Sequence, residues 1–299
     1  MNLILWLKVL ALGIVEGITE WLPISSTGHL VLLGEVLNPG MSEEFMKMFN
    51  VVIQLGAIMA VVVLYFGKLW PFHTAKTASG RNWFRNPQTE GFGGRFQSFA
   101  NRYCHMDKIV MWLKICVSTL PAIVLGLPLD DWVEEHMHRP VPIASMLILY
   151  GVLFIVIEGW NKTRSPRVTR IRQLTWRDAL LIGIFQVLAI IPGTSRSGAT
   201  ILGGILIGLD RTVAAEYTFY LAIPTMVGAS LLKLVKFGFG FTGMEIAVLL
   251  FGMVVAFAVS VLAIKFLMSY IKRHDFKVFG VYRILLGILV LIFAFTNIL

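Results

Sequence analysis

The sequence predicts an all-α polytopic membrane protein with six transmembrane helices plus two re-entrant helical hairpins, arranged as an inverted-topology repeat. Three observations lead there. Of 299 residues, 57% are hydrophobic and only 14% are charged, against roughly 25% charged in a soluble domain, and the mean hydropathy is +0.78. Six apolar stretches approach or reach the ~20 residues that a helix needs to cross a ~30 Å hydrocarbon layer. Two more stop short of that length and run into polar breaks.

The first repeat covers residues 1–160 and opens with a hairpin over 1–38. Its apolar run before Glu16 gives roughly 22 Å of helix at ~1.5 Å per residue, too little to span. It then meets "PISSTGH", a Pro, Ser and Gly cluster that punctuates a helix, and Leu30 to Leu37 follows as a short apolar segment. Met1 to Val15 has the length of a signal peptide, but no small-residue cleavage motif follows it, so it is expected to stay in the mature protein. Spans are predicted near 49–66, 109–129 and 141–160.

The second repeat covers 178–299. Its hairpin, 178–209, runs through Ala179 to Ile191, the break "PGTSRSGAT" and Ile201 to Leu209. Spans near 213–234, 246–268 and 278–299 complete it. Irregular backbone at membrane depth survives only where protein or trapped water surrounds it, so both turns are expected to lie buried at a site.

The two hairpins also resemble each other. "GIVEGITEWLPISSTGHLVLLG" and "GIFQVLAIIPGTSRSGATILGG" match at Gly13 with Gly183, Ser25 with Ser195 and Gly28 with Gly198. Three spans follow each, and an odd number per unit turns the second copy upside down. Basic residues agree, because cytoplasmic loops carry the Lys and Arg excess. Lys68 to Lys108, Lys162 to Arg177 and Lys272 to Lys277 are basic and are placed in the cytoplasm; the acidic loops with Glu35, Glu43 and Glu44, and with Asp130, Asp131, Glu134 and Glu135, fall outside. The first hairpin then enters from outside and the second from inside, so that their tips meet within the bilayer. Trp70, Trp132, Trp160 and Trp176 flank spans as interfacial aromatics do. Inverted repeats with discontinuous helices are common in secondary transporters, so architecture alone favours transport. The net charge of +9 reflects these loops; no nucleic-acid-reading module accompanies it. Cys104 and Cys116 have no metal or redox spacing and read as free thiols.

The breaks carry the chemistry. Glu16 and Glu20 are four apart, on one face of a helix. In low dielectric they repel unless a proton, a cationic side chain or an oxygen-seeking divalent cation intervenes. Snorkelling at an interface is the plainer reading, but an ionisable group at membrane depth costs roughly 3 kcal/mol and by default marks function. Ser25, Ser26, Thr27 and His29 follow. A serine hydroxyl needs a base to become a nucleophile and histidine is the usual one, although hydroxyls also cap helices. In "PGTSRSGAT" the amides of Ser197 to Thr200, Gly198 included, open a short helix that can receive an oxyanion, and Arg196 can clamp phosphate oxygens. The plainer alternative is an N-cap with Arg196 paired to Glu16 or Glu20. Together the groups fit phosphoryl transfer, in which positioning and charge stabilisation do most of the catalysis.

At these residues the chain resembles the undecaprenyl pyrophosphate phosphatase family, also called bacitracin resistance proteins. "EGITE" followed by "SSTGH", then "PGTSRSGAT" and "FNVVIQLGAIMAVV" carry the resemblance, which extends over nearly the whole chain and is weakest over Thr74 to His105. It implies dephosphorylation of a C55 isoprenyl pyrophosphate, which recycles the lipid carrier for cell-wall synthesis in the bacterial cytoplasmic (inner) membrane, at a site facing the extracytoplasmic side. By the same resemblance Glu16 and Glu20 bind or orient a divalent cation, Mg²⁺ or Ca²⁺, and Ser26 or His29 attacks or activates the attacker. Arg196, with Ser195, Ser197 and Thr200, holds the pyrophosphate; Ser25, Thr27 and Gly198 complete the expected binding set. The nucleophile is left open among Ser26, His29 and water. Expected partners are the long-chain prenyl pyrophosphate and membrane lipids, not nucleic acid; a homodimer is left open.

Competing classes differ in specific ways. Type-2 phosphatidic acid phosphatases need a histidine six residues after the arginine, where this chain has Leu202. A lipid-phosphate flippase or ion-coupled transporter without hydrolysis shares the inverted repeat and the use of Arg196, and only release of phosphate separates it. A structural scaffold leaves the polar breaks unexplained. Elsewhere, His136 and His138 read as a solvated loop before a metal site, and Lys114, Lys233 and Lys265 as snorkelling cations. Asp210, Arg211 and Glu216 read as capping a span. Tyr282 and Arg283 are placed to reach a headgroup.

Overall fold

The computed structural model describes residues 3–72, 91–238 and 240–296. The predicted basic positions Lys76, Arg81 and Arg85 lie outside them. Thirteen α-helices make up the described chain, and no strand occurs among the described residues. Six helical stretches are long and apolar enough to cross a membrane: Glu43–Leu64, Met106–Gly126, Pro140–Asn161, Arg211–Phe237, Gly243–Tyr270 and Lys277–Phe295.

Local chemistry sets the helix ends. The chain enters as α1 (Leu3–Thr19) and, after the first break, α2 (Ser26–Leu37). The first span begins at Glu43, earlier than the apolar pattern predicts, because Ser42 accepts from the Phe45 amide and Glu43 and Glu44 favour a helix N-terminus. It is split into α3 (Glu43–Val52) and α4 (Gln54–Leu64) at Ile53. After α5 (Phe66–Leu69) and α6 (Gly91–Tyr103), α7 runs over Met106–Met137.

The acidic positions after the second span are therefore not a loop. Asp131, Glu134 and Glu135 lie on a helical extension of α7, which continues past Pro128 and whose side chains find cations on α11 (Arg211–Phe237). Lys233 donates to Glu134 at 3.0 Å and Lys236 to Asp131 at 3.2 Å. The Lys233 ammonium holds the Glu134 carboxyl below the usual carboxylate range.

The rest of the chain follows in order. α8 (Pro140–Asn161) ends the first half, and α9 (Trp176–Val187) opens the second with a capping box between Thr175 and Asp178. α10 (Arg196–Leu206), α11, α12 (Gly243–Tyr270) and α13 (Lys277–Phe295) follow.

Packing pairs the halves in an exchangeable way. α1 lies on α12 as α9 lies on α7; α4 meets α12 as α11 meets α7; α2 touches α13 as α10 touches α8. Close approach needs small residues, as in other membrane helix pairs. A Cβ on Gly183 would fall 2.4 Å from the Ser118 carbonyl, and one on its sequence match Gly13 would fall 2.8 Å from Val255. Gly151 and Gly280, where α8 crosses α13, would each meet the other's carbonyl at 2.7 Å. Trp21 and Phe219, both fully buried, meet edge to face in the core beside the breaks.

Candidate active site

Each break ends on a serine in the same unusual conformation. Ser25 has φ 73° and Ser195 φ 70°, the two non-glycine residues with positive φ among the described residues. Both are N-caps: the Gly28 amide donates to Ser25 Oγ at 3.4 Å and the Gly198 amide to Ser195 Oγ at 3.2 Å. Such backbone costs on the order of 1–3 kcal/mol and persists where surrounding structure holds it. Here it lets the chain turn and open a helix at once, leaving the first amides of α2 and α10 as donors for an anion.

Side chains bind one break to the other. Arg196 Nη2 donates to Glu20 Oε1 at 2.9 Å, and Nη1 to the Thr218 carbonyl at 3.0 Å. Ser197 Oγ donates to the Glu20 carbonyl at 3.2 Å. Thr200 Oγ1 donates to the Arg196 carbonyl at 2.9 Å and accepts from Thr218 Oγ1 at 2.8 Å. Both charged side chains of the pair are nearly buried, so removing either partner leaves an uncompensated charge worth about 3–5 kcal/mol. The guanidinium also lies over Trp21, 5.9 Å from the ring centroid.

Glu16 sits deeper, only 2% exposed, facing Glu20 and Gln54. Its Oε1 is buried without a hydrogen-bond partner. No group of three or more His, Cys, Asp or Glu suited to a metal occurs among the described residues. The oxygen donors available are thus two carboxylates and the Gln54 amide. An all-oxygen set with an orphaned carboxylate oxygen fits a hard divalent cation that completes its shell with waters and phosphate oxygens.

His29 stands apart from that pair. Its Nδ1 lies 2.7 Å from the Ser25 carbonyl and its Nε2 2.7 Å from the Tyr282 hydroxyl. A carbonyl only accepts, so Nδ1 carries the proton and Nε2 is the basic nitrogen. The two rings stack with centroids 5.6 Å apart. Ser26 and Thr27 occupy the first turn of α2, half-buried, their hydroxyls uncommitted among the described residues.

The fully buried Arg283 corrects the sequence expectation of a headgroup contact. Its Nη1 donates to the Pro23 carbonyl at 3.2 Å, and Nη2 donates to the Gly193 and Thr194 carbonyls at 2.7 and 2.9 Å. One side chain thereby ties both breaks together. Tyr282, next to it, is partly exposed and bonds His29 instead. Gln54 and Thr218 also belong to the site and were not singled out from the sequence. An ionisable residue inside a span was the available signal for Arg283; its place near the start of the last span suggested a headgroup contact instead.

Other expectations divide. Asp210 caps α11 through the Thr212 amide, but Glu216 binds Lys68 at 2.9 Å and the Tyr220 hydroxyl, so it is no cap. Lys114 donates to the Leu174 carbonyl and Lys233 to Glu134, so neither simply snorkels. His136 stacks on Trp132. Cys104 and Cys116 are free thiols.

Residues 9–289 match the family profile of bacitracin resistance protein BacA. The chain belongs to the BacA family. That match contains both breaks and reaches past Arg283. An undecaprenyl-diphosphatase of Enterococcus faecalis is 55% identical over 286 residues, covering 96% of each chain. One from Acetivibrio thermocellus is 55% identical over 287 residues, covering 96% of this chain and 97% of its own. Another, from Lacticaseibacillus paracasei, is 48% identical over 292 residues, with 97% and 98% covered. BacA-family identity thus extends through every element that builds the site.

Proposed function

We propose that this BacA-family chain hydrolyses the terminal phosphoanhydride of undecaprenyl or a similar long-chain prenyl pyrophosphate, giving the lipid monophosphate and inorganic phosphate. The observation that carries this reading is the buried contact of Glu20 with Arg196 between two breaks whose serine-capped helices open beside it. Relatives similar over nearly the whole chain are named undecaprenyl-diphosphatases, which supports the substrate class. On this reading the membrane is the bacterial cytoplasmic one and the first break faces the extracytoplasmic side, which the basic loops assigned to the cytoplasm support.

The pyrophosphate carries several negative charges into a water-poor site, so binding depends on cations and fixed dipoles. Arg196 is held by the Thr218 carbonyl while Nη2 rests on Glu20; a phosphate oxygen can replace that carboxylate without moving the arginine. Ser195, Ser197, Thr200 and Gly198 on one side, and Ser25 and Thr27 on the other, would complete the pyrophosphate-binding set, with the Gly198 amide leaving Ser195 Oγ to do so. Glu16 and Glu20, with the Gln54 amide oxygen, would hold the divalent cation, Mg²⁺ or Ca²⁺, which supplies charge neutralisation across the phosphate oxygens. Oxygen from Ser26 or water attacks the terminal phosphorus, and its proton passes to His29 Nε2. The bridging P–O bond breaks and its electron pair leaves on the prenyl monophosphate. A phosphoserine, where Ser26 attacks, is then released by water. Tyr282 must yield or relay that proton, because its hydroxyl occupies Nε2. All named residues come from one chain, so a homodimer is compatible with the site and unnecessary to it.

Phosphate release by the purified protein from a defined prenyl pyrophosphate tests the reading. Release with Mg²⁺ or Ca²⁺, lost with chelator and lost in Arg196→Ala that still elutes as a folded protein, is the expected result. Binding without turnover under those conditions overturns hydrolysis in favour of a transporter.

A further inference from the structure

Away from the two breaks, the ends of four spans surround a polar cavity of about 390 Å³. Asn161 and Lys162 close α8, Asp210 and Arg211 open α11, and the turn from Ile271 to Asp275 joins α12 to α13. None of its lining residues belongs to the site described above.

The charges in this cavity do not balance. Both of its acids serve helix starts: Asp210 Oδ1 accepts from the Thr212 amide at 2.9 Å and Asp275 Oδ1 from the Lys277 amide at 3.2 Å. Arg211 is consumed by the buried Glu158, which takes its Nε at 2.9 Å and also the Phe276 amide at 3.2 Å. Lys162, Lys272 and Arg273 have no acidic partner among the described residues. Arg164 lies flat on Trp160, 3.5 Å from the ring centroid, which fixes its guanidinium at the rim. A larger cavity of about 710 Å³ between α5, α7 and α11 provides the contrast. There Lys68 holds Glu216, Lys108 holds the Gly67 and Trp70 carbonyls, and Lys114 holds the Leu174 carbonyl. Its lysines are committed inside the protein, whereas three cations of the smaller cavity are left for something else.

Depth narrows what that is. Trp160 is exposed at the cavity mouth, and Val156, Phe266, Val278 and Val281 are exposed on the span surfaces leading away from it. An exposed aromatic above exposed aliphatics marks the level of lipid headgroups. Basic pockets between span ends at that level suit phosphate headgroups.

We infer that this cavity is a second anion site, separate from the breaks, which binds a phosphate oxyanion at the basic membrane face. The chemistry is shared by an anionic phospholipid headgroup and by free phosphate. It needs no hydrolytic activity and stands whether or not the pyrophosphate reading does.

The test uses the full chain in neutral detergent, as wild type and as the triple variant Lys162→Gln, Lys272→Gln, Arg273→Gln. Binding of phosphatidylglycerol, phosphatidylcholine and inorganic phosphate is followed by native mass spectrometry and by thermal shift. Each cation near an anionic surface is worth roughly fivefold in binding, so the triple variant should bind phosphatidylglycerol on the order of a hundredfold more weakly. Displacement of phosphatidylglycerol by millimolar phosphate assigns the site to the oxyanion alone; retention assigns it to the lipid headgroup, and both support the inference. Equal phosphatidylglycerol binding by wild type and variant overturns it, as does failure of the wild type to bind either probe. A gel-filtration elution volume and a lipid-free thermal midpoint equal to those of the wild type show that the variant is folded.

Discussion

At the scale of single residues, the site divides by how each side chain finds its partner. Glu16, Glu20, Ser25, Ser195 and Arg196 were legible because they are polar groups interrupting apolar runs, a pattern carried by neighbours in sequence. The roles of Arg283, Gln54 and Thr218 were not, because their partners, the Pro23 carbonyl, Glu16 and the Arg196 guanidinium, are brought near only by folding. His29 was legible as a base, but its tautomer depends on Ser25 and on Tyr282, more than 250 residues away. Tyr282→Phe keeps the stacked ring and removes the hydroxyl. If that hydroxyl relays or positions the proton, kcat should fall by roughly tenfold with KM unchanged; a raised KM with normal kcat would make Tyr282 a lipid anchor instead. Glu16→Gln and Glu20→Gln each remove a negative ligand, so the Mg²⁺ concentration for half-maximal activity should rise about tenfold or more. An unchanged metal response in both variants removes the ligand role.

At the scale of elements, hydropathy located all six spans but misplaced their ends in both directions: the span expected near 49–66 runs Glu43–Leu64, while those expected near 213–234 and 246–268 fall inside Arg211–Phe237 and Gly243–Tyr270. Glu43 and Glu44 at the start of α3 and Glu134 on the extension of α7 are charged residues in helices, where a hydropathy pattern reads loops. The short helices α2 and α10 start at Ser26 and Arg196, earlier than their apolar segments, because capping serines rather than apolar residues begin them. Glycine spacing was noted as a match between halves, but its reason is visible only in contact. Gly183 brings α9 onto α7 so closely that a side chain would strike the Ser118 carbonyl. A backbone atom cannot step aside as a side-chain tip can. Gly183→Val should therefore cost about 1–3 kcal/mol by overpacking, read as a lowered midpoint of thermal unfolding in detergent, with phosphate release falling as α9 shifts the second break. An unaltered midpoint would show that the helices part without penalty.

At the scale of the whole molecule, the chain folds so that each half supplies one break and neither break is complete alone. The pairing of α1 with α12 and of α9 with α7 seats each short helix on the other half, and α8 and α13 close the assembly through Gly151 and Gly280. Charge placement orients this frame: basic span ends gather on one face, where the second anion cavity lies, and Glu134, Asp131, Lys233 and Lys236 hold the opposite ends of α7 and α11 together. The clamp of Arg283 across both turns did not follow from the sequence match of the two segments. Whether the halves act as one catalytic unit is measured most directly by a double-mutant cycle on phosphate release with Glu20→Gln, Arg196→Gln and the pair together. Each single change is expected to lose on the order of a hundredfold or more, and the double variant to lose about as much as the worse single one, since residues acting as a unit are strongly non-additive. Losses that multiply, with the double variant falling by the product of the two singles, would mean that the carboxylate and the arginine work independently and that no shared site exists.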